Sequence, residues 1–306
     1  MSAYLFPTPE LLGSAVPAIV SVLLLAPIYI WYRNYRKKAQ FSKQVLATNK
    51  LKVLLSVLAL FLLALSVRIP SALFFGSPFE KTPLILLTIS TILVIEKTEI
   101  SAFGFTTRKL GKSLAHGLAF FLLLNALTLT IDDLLVCAFT NQTLFLSFNT
   151  SPFILSLPFM TLCVAISEEG LFRGYIQTHL EKILTPMNAI IVQAFLFGIW
   201  HFVWNLSPFD PFGMAQYMSV TLFIGLLFGY FYSKTRSLLP LVLAHGLWDS
   251  VAQGVVENQA ASGALNAAAP VGRFLTFLLP YAIPFAVTFL YIKYAVKKIG
   301  DDQTGS

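Results

Sequence analysis

Charge is what this sequence has least of. Only 11% of its 306 residues are Asp, Glu, Lys or Arg, less than half of the roughly 25% that soluble domains carry. Cysteine is nearly absent as well: Cys137 falls in a loop and Cys163 inside an apolar run, which excludes a disulfide framework. No stretch rich in Gly, Ser or Pro divides the chain, and no low-complexity tract or internal repeat is visible. What is plentiful is hydrocarbon, with 57% hydrophobic residues, 28 Phe and a mean hydropathy of +0.76. This composition predicts an all-α polytopic transmembrane bundle in which residues 1–306 form one membrane domain.

Apolar runs long enough to be considered as spans cover 11–32, 51–67, 83–95, 113–131, 152–166 and on towards Arg173, 186–204, 215–232, 237–256 and 274–292. The third is shorter than the about 17 to 25 residues that a full span needs, so the expectation is eight or nine spans. Basic residues orient them, because cytoplasmic segments hold the excess of Lys and Arg. With the N-terminus outside and the C-terminus cytoplasmic, 18 of the 21 basic residues lie inside, and Arg68, Lys81 and Arg273 lie in outer segments. The net charge of +7 is thus dispersed between apolar runs. It reads as a topology signal and a contact with anionic lipid, and nucleic acid is not expected as a partner.

Once loop charges are set aside, the ionisable residues in or at the edge of apolar runs are Glu168, Glu169, Arg173, His201, His245 and Asp249. An ionisable group inside a membrane is costly enough to be a functional candidate by default. In a helix, positions i and i+4 share a face, so Glu169 meets Arg173 and His245 meets Asp249. That pairing leaves Glu168 without a local partner and makes it the candidate general base. His201 beside it would share the proton of a water, and His245 with Asp249 would donate to a developing oxyanion. Helical rise places His201 deeper than the other two, so tilt and a water-filled cavity open to the cytoplasm are needed to bring the three together. Hydrolysis of an amide suits such a set. The competing reading of Glu168, Glu169 and Arg173 is a solvated helix end, and that of the histidines is helix packing.

The order of these motifs carries a resemblance. Glu168-Glu169 with Arg173, then Phe197 with His201, then His245 with Asp249, each on its own membrane helix, resembles the CPBP (Abi) family of intramembrane glutamate endopeptidases, related to type II CAAX prenyl endopeptidases. The resemblance covers about 152–256. It implies that Glu168 and His201 activate water without a metal, that Glu169 and Arg173 support them, and that His245 with Asp249 forms the oxyanion site. The prenyl-protein enzymes have Asn where this chain has Asp249, which weakens the case for prenylated substrates more than the case for hydrolysis. Two histidines and a glutamate also suit zinc, so a zinc-dependent version stands as an alternative, although no His-Glu-x-x-His pair lies on one helix. A proton-coupled transporter or a non-catalytic scaffold would use the same buried charges for gating, but no inverted repeat supports it. The expectation is an endopeptidase in a prokaryotic plasma membrane, with no cofactor, acting on peptide or membrane-protein substrates from the cytoplasmic side. Oligomeric state is left open. Gly225 and Gly229, at small-residue spacing in the seventh run, are read as packing, and for Trp200 and Trp248, which adjoin motif residues, packing is favoured over lining the cavity. His116 and His179 are assigned no role.

Overall fold

The computed structural model describes residues 10–35, 41–45, 49–75, 80–107, 109–143, 145–260 and 270–296. Its long helices are α1 (Glu10–Tyr35), α2 (Lys50–Phe74), α3 (Lys81–Ile95), α4 (Leu110–Thr140), α5 (Thr150–Leu180), α6 (Pro186–Asn205), α7 (Pro211–Thr235), α8 (Leu239–Gly254) and α9 (Pro270–Tyr294). Each apolar run of the sequence coincides with one of them, although the run 237–256 overruns α8 at both ends and supplies Val255 and Val256 to a short strand. Among the described residues five helices, α2, α4, α5, α6 and α7, are long and apolar enough to cross a membrane, and α3 is apolar but shorter. The chain is a mostly helical integral membrane protein. Among the basic residues of the charge tally, Arg36, Lys37, Lys38, Arg108, Lys297 and Lys298 lie outside the described residues, as do residues 1–9 and 297–306 at the two termini.

Side chains at the helix starts satisfy the first backbone N–H groups, which have no partner within the helix. Asn49 Oδ1 accepts from Leu51 N at 2.7 Å ahead of α2, and Asn149 Oδ1 from Ser151 N at 3.1 Å ahead of α5. Thr185 and Asp210 cap α6 and α7, where Pro186 and Pro211 stand at the first helical position, the place proline tolerates best. Two short pairings tie loops at the helix ends. Ser42 bridges to Thr98, and β1 (Leu146–Phe148) runs antiparallel to β2 (Val255–Glu257), with Leu146 opposite Glu257 and Phe148 opposite Val255.

Among the described residues, packing gathers into two large apolar clusters and two small ones. One of the large clusters joins α2, α3, α5 and α6 through residues such as Phe61, Ile92, Phe172 and Trp200. The other joins α4, α7, α8 and α9 through Phe120, Phe228, Leu241 and Ile292. α5 has neighbours in both and is the central post. The close approach expected at Gly225 and Gly229 is present: a Cβ on Gly225 would lie 3.0 Å from Ala194 Cα. The exposed glycine carbonyls are used as well. Gln193 Nε2 donates to Gly225 O at 2.8 Å and Gln177 Nε2 to Gly229 O at 3.0 Å, interhelical bonds of the kind that hold helices together in lipid.

Candidate active site

Midway along α5 the helix changes pitch. α-Helical turns to Phe159 give way to wider π-helical turns at Met160–Ala165 and Gly170–Gln177, on either side of Ile166–Glu169. Such local widening is frequent at functional sites because it re-aims side chains. Glu168 and Glu169 therefore point inward, 2% and 0% exposed, and the solvated helix end is excluded.

The three motif helices converge on Glu168. His201 Nε2 stands 3.8 Å and His245 Nε2 3.7 Å from the same atom, Glu168 Oε2. That oxygen is buried and accepts no hydrogen bond from the described residues. These separations exceed a direct hydrogen bond but suit one water bonded to all three groups, within the reach of a general base. His201 stands where the α-helical part of α6 ends at Trp200 and a 3₁₀ turn continues through His201–Asn205. His201 is aimed by its own helix: Nδ1 lies 2.8 Å from Phe197 O, one turn earlier, so an Nδ1–H donating there leaves Nε2 facing the glutamate.

Glu169 and Arg173 form the expected pair at 3.0 Å, both buried. The guanidinium also lies over Phe197 and Phe228, with its carbon 4.2 and 5.0 Å from the ring centroids. Glu169 does more than neutralise Arg173. Its Oε1 also meets His245 Nδ1 at 2.8 Å, while His245 Nε2 lies 3.4 Å from Asp249 Oδ2. His245 is thus oriented from α5 as well as from its own helix. α8 can come this near only because Gly246 faces α5. A Cβ there would be 2.4 Å from Thr161 Oγ1 and 2.7 Å from Thr161 Cα. Gly246→Ala is therefore expected to cost about 1 to 3 kcal/mol through overpacking, read as a lower unfolding temperature in detergent. An unchanged transition would show that α8 yields without strain.

The structure corrects the reading of Arg68 and Lys81, which are not loop charges but bring cations from α2 and α3 to Glu168, a residue with no partner on its own helix. Helix α2 runs on past Arg68 to Phe74, and Lys81 is the first residue of α3, which puts both side chains inside the bundle at 1% exposure. Lys81 Nζ is ion-paired with Glu168 Oε1 and lies 3.3 Å from Glu80 Oε1. Arg68 Nη1 holds the same Glu80 oxygen at 2.5 Å and stands 4.0 Å from Glu168 Oε1. Burial opposes ionisation of Glu80, but Lys81 and Arg68 beside it outweigh that and hold its carboxyl below the ordinary range. Trp200, read as packing, donates Nε1–H to Glu168 Oε1 at 2.9 Å. Its backbone O accepts from Arg68 Nε at 2.9 Å, and the Arg68 guanidinium lies 4.2 Å from its ring centroid. The signal for Arg68 was the apolar stretch 69–75 beyond it, which extends the span.

His116 and His179 are partnered away from this centre, His116 by Tyr291 and His179 by Tyr175 O and Glu96. Neither Cys137 nor Cys163 forms a disulfide. Among the described residues no group of three His, Cys, Asp or Glu side chains is arranged to hold a metal ion. The positive charge of Lys81 on Glu168 disfavours a second cation at that carboxylate.

With this geometry in view, the comparison with known proteins has a clear meaning. No curated protein and no solved structure matches the chain. Residues 150–251 match the family described as type II CAAX prenyl endopeptidase Rce1-like, a segment that contains Glu168, Glu169, Arg173, His201, His245 and Asp249 and omits Arg68, Glu80 and Lys81. The resemblance to the CAAX-protease (CPBP) family drawn from three short motifs is thereby supported over residues 150–251, from the start of α5 into α8.

Proposed function

We propose that this protein is a membrane-embedded endopeptidase that hydrolyses peptide bonds in membrane-associated proteins or peptides. The observation that carries the reading is the unpartnered Glu168 Oε2 facing His201 Nε2 and His245 Nε2 at 3.8 and 3.7 Å. In this reading the three groups hold one water. As its oxygen attacks the scissile carbonyl carbon, Glu168 Oε2 takes the proton, steadied by His201, and the carbonyl π pair moves onto oxygen. His245, oriented by Glu169 and Asp249, donates to that oxyanion. Collapse of the tetrahedral intermediate breaks the C–N bond, and the proton on Glu168 passes to the leaving nitrogen.

The surrounding reading follows the sequence. One membrane domain of eight or nine spans, with the N-terminus outside and the C-terminus cytoplasmic, lies in a prokaryotic plasma membrane and carries its catalytic helices over 152–256. Asp249, in place of the Asn of the prenyl-protein enzymes, favours substrates without a prenyl group.

The test uses purified protein in detergent and quenched fluorescent peptides ending in Cys-aliphatic-aliphatic-X, with and without a prenyl group on Cys. Cleavage by the wild type and a loss of about 100-fold or more in His201→Ala are expected, within the range for a proton-transfer group. No cleavage of any peptide, as a transporter or scaffold would give, or full activity in His201→Ala, overturns the reading.

A further inference from the structure

The two oxygens of Glu168 are treated differently. Oε1 carries two donors, Lys81 Nζ and Trp200 Nε1, whereas Oε2 has none and faces the histidines. A carboxylate at the end of a glutamate rotates in a broad, soft well, so burial alone does not decide which oxygen meets a water. Two donors on one oxygen do decide it. Lys81 is in turn anchored from outside the Rce1-like segment. Glu80 Oε1 lies 3.3 Å from its Nζ and is gripped by Arg68, while Glu80 Oε2 accepts from Ser71 Oγ at 3.0 Å. Arg68 closes the frame by donating Nε–H to the backbone of Trp200, the other residue on Oε1. The charged groups around Glu168 are thus Lys81 and Glu80 from the start of α3, Arg68 from α2, His201 from α6, and His245 with Asp249 from α8.

We propose that Lys81, anchored by Glu80 and Arg68, is a positioning residue of the site that orients Glu168 so that Oε2 is presented to the attacking water. The inference rests on the hydrolytic reading above. It extends the functional site to α2 and α3, beyond the segment that resembles a known family.

The experiment compares Lys81→Met, Lys81→Arg, Glu80→Gln and Glu168→Gln with wild type on whichever quenched peptide the wild type cleaves. Methionine keeps the length and packing of lysine without its charge. A misaligned reactive group costs about 100-fold, and that fall in kcat is expected for Lys81→Met, with KM unchanged because substrate contacts remain. Lys81→Arg keeps the charge and most of the turnover. A packing role predicts the reverse order, with methionine tolerated and the bulkier arginine harmful. Should Lys81→Met fail to fold, Glu80→Gln keeps the lysine but loosens its anchor, and a fall of about tenfold in kcat at constant KM is expected on the same ground. Wild-type kcat in Lys81→Met, or in Glu80→Gln, overturns the inference. If that happens while Glu168→Gln is inactive, the hydrolytic reading survives alone. Equal turnover by Glu168→Gln and wild type overturns both.

Discussion

Glu168→Gln will lower kcat by about 10³-fold, within the range lost with a general base, and will leave a folded protein. The amide keeps the shape of the carboxylate, so the Trp200 indole N–H still has an oxygen to meet. Lys81 keeps the amide oxygen as an acceptor and still shares Glu80, at 3.3 Å, with Arg68. What disappears is the acceptor of the water proton at Oε2, where His201 and His245 converge. Because that acceptor acts in the transition state rather than in substrate binding, kcat and kcat/KM should fall together. Steady-state cleavage, with elution and thermal unfolding as controls, measures this. A variant that retains more than about a tenth of the activity would be incompatible with a loss of the size expected of a general base, and would move the proton to another group.

Arg173→Met carries the second large effect, on stability rather than turnover. Arg173 and Glu169 are each 0% exposed, and removing one partner of a buried ion pair leaves an uncompensated charge at a cost of about 3 to 5 kcal/mol. His245 Nδ1, already at 2.8 Å, is the partner left to the Glu169 carboxylate. The double variant Glu169→Gln/Arg173→Met removes both charges and should recover most of the loss, since replacing a whole buried pair is often neutral. Thermal unfolding in detergent compares the two. Equal destabilisation in single and double variants would assign the effect to the guanidinium stacking on Phe197 and Phe228.

What could be read from the sequence was local. Each apolar run announces a helix, and the i, i+4 spacing by itself puts Glu169 beside Arg173 and His245 beside Asp249. The convergence of three helices on one oxygen was only an expectation, because nothing in a run of hydrophobic residues sets its tilt. Lys81 was misread for a related reason. It lies 87 positions from Glu168, no periodicity links the two, and a charge at the edge of an apolar run looks the same whether the chain turns outward or inward there. Trp200 was misread because an indole in a hydrophobic stretch shows its apolar body before its single donor.

The Arg68–Glu80 bridge has a consequence for how the protein is made. Helices enter the bilayer in the order of their synthesis, and α2 and α3 bring Arg68 and Lys81 before α5 has supplied Glu168. An unpaired cation costs up to about 2.5 to 3.5 kcal/mol on the insertion scale, the value at a helix centre, and less towards a helix end. Glu80, twelve positions after Arg68 and bonded to it at 2.5 Å, travels with the hairpin and cancels one of the two charges at once. The single positive charge left waits for α5, so the pairing that arms the site also completes the assembly of the bundle.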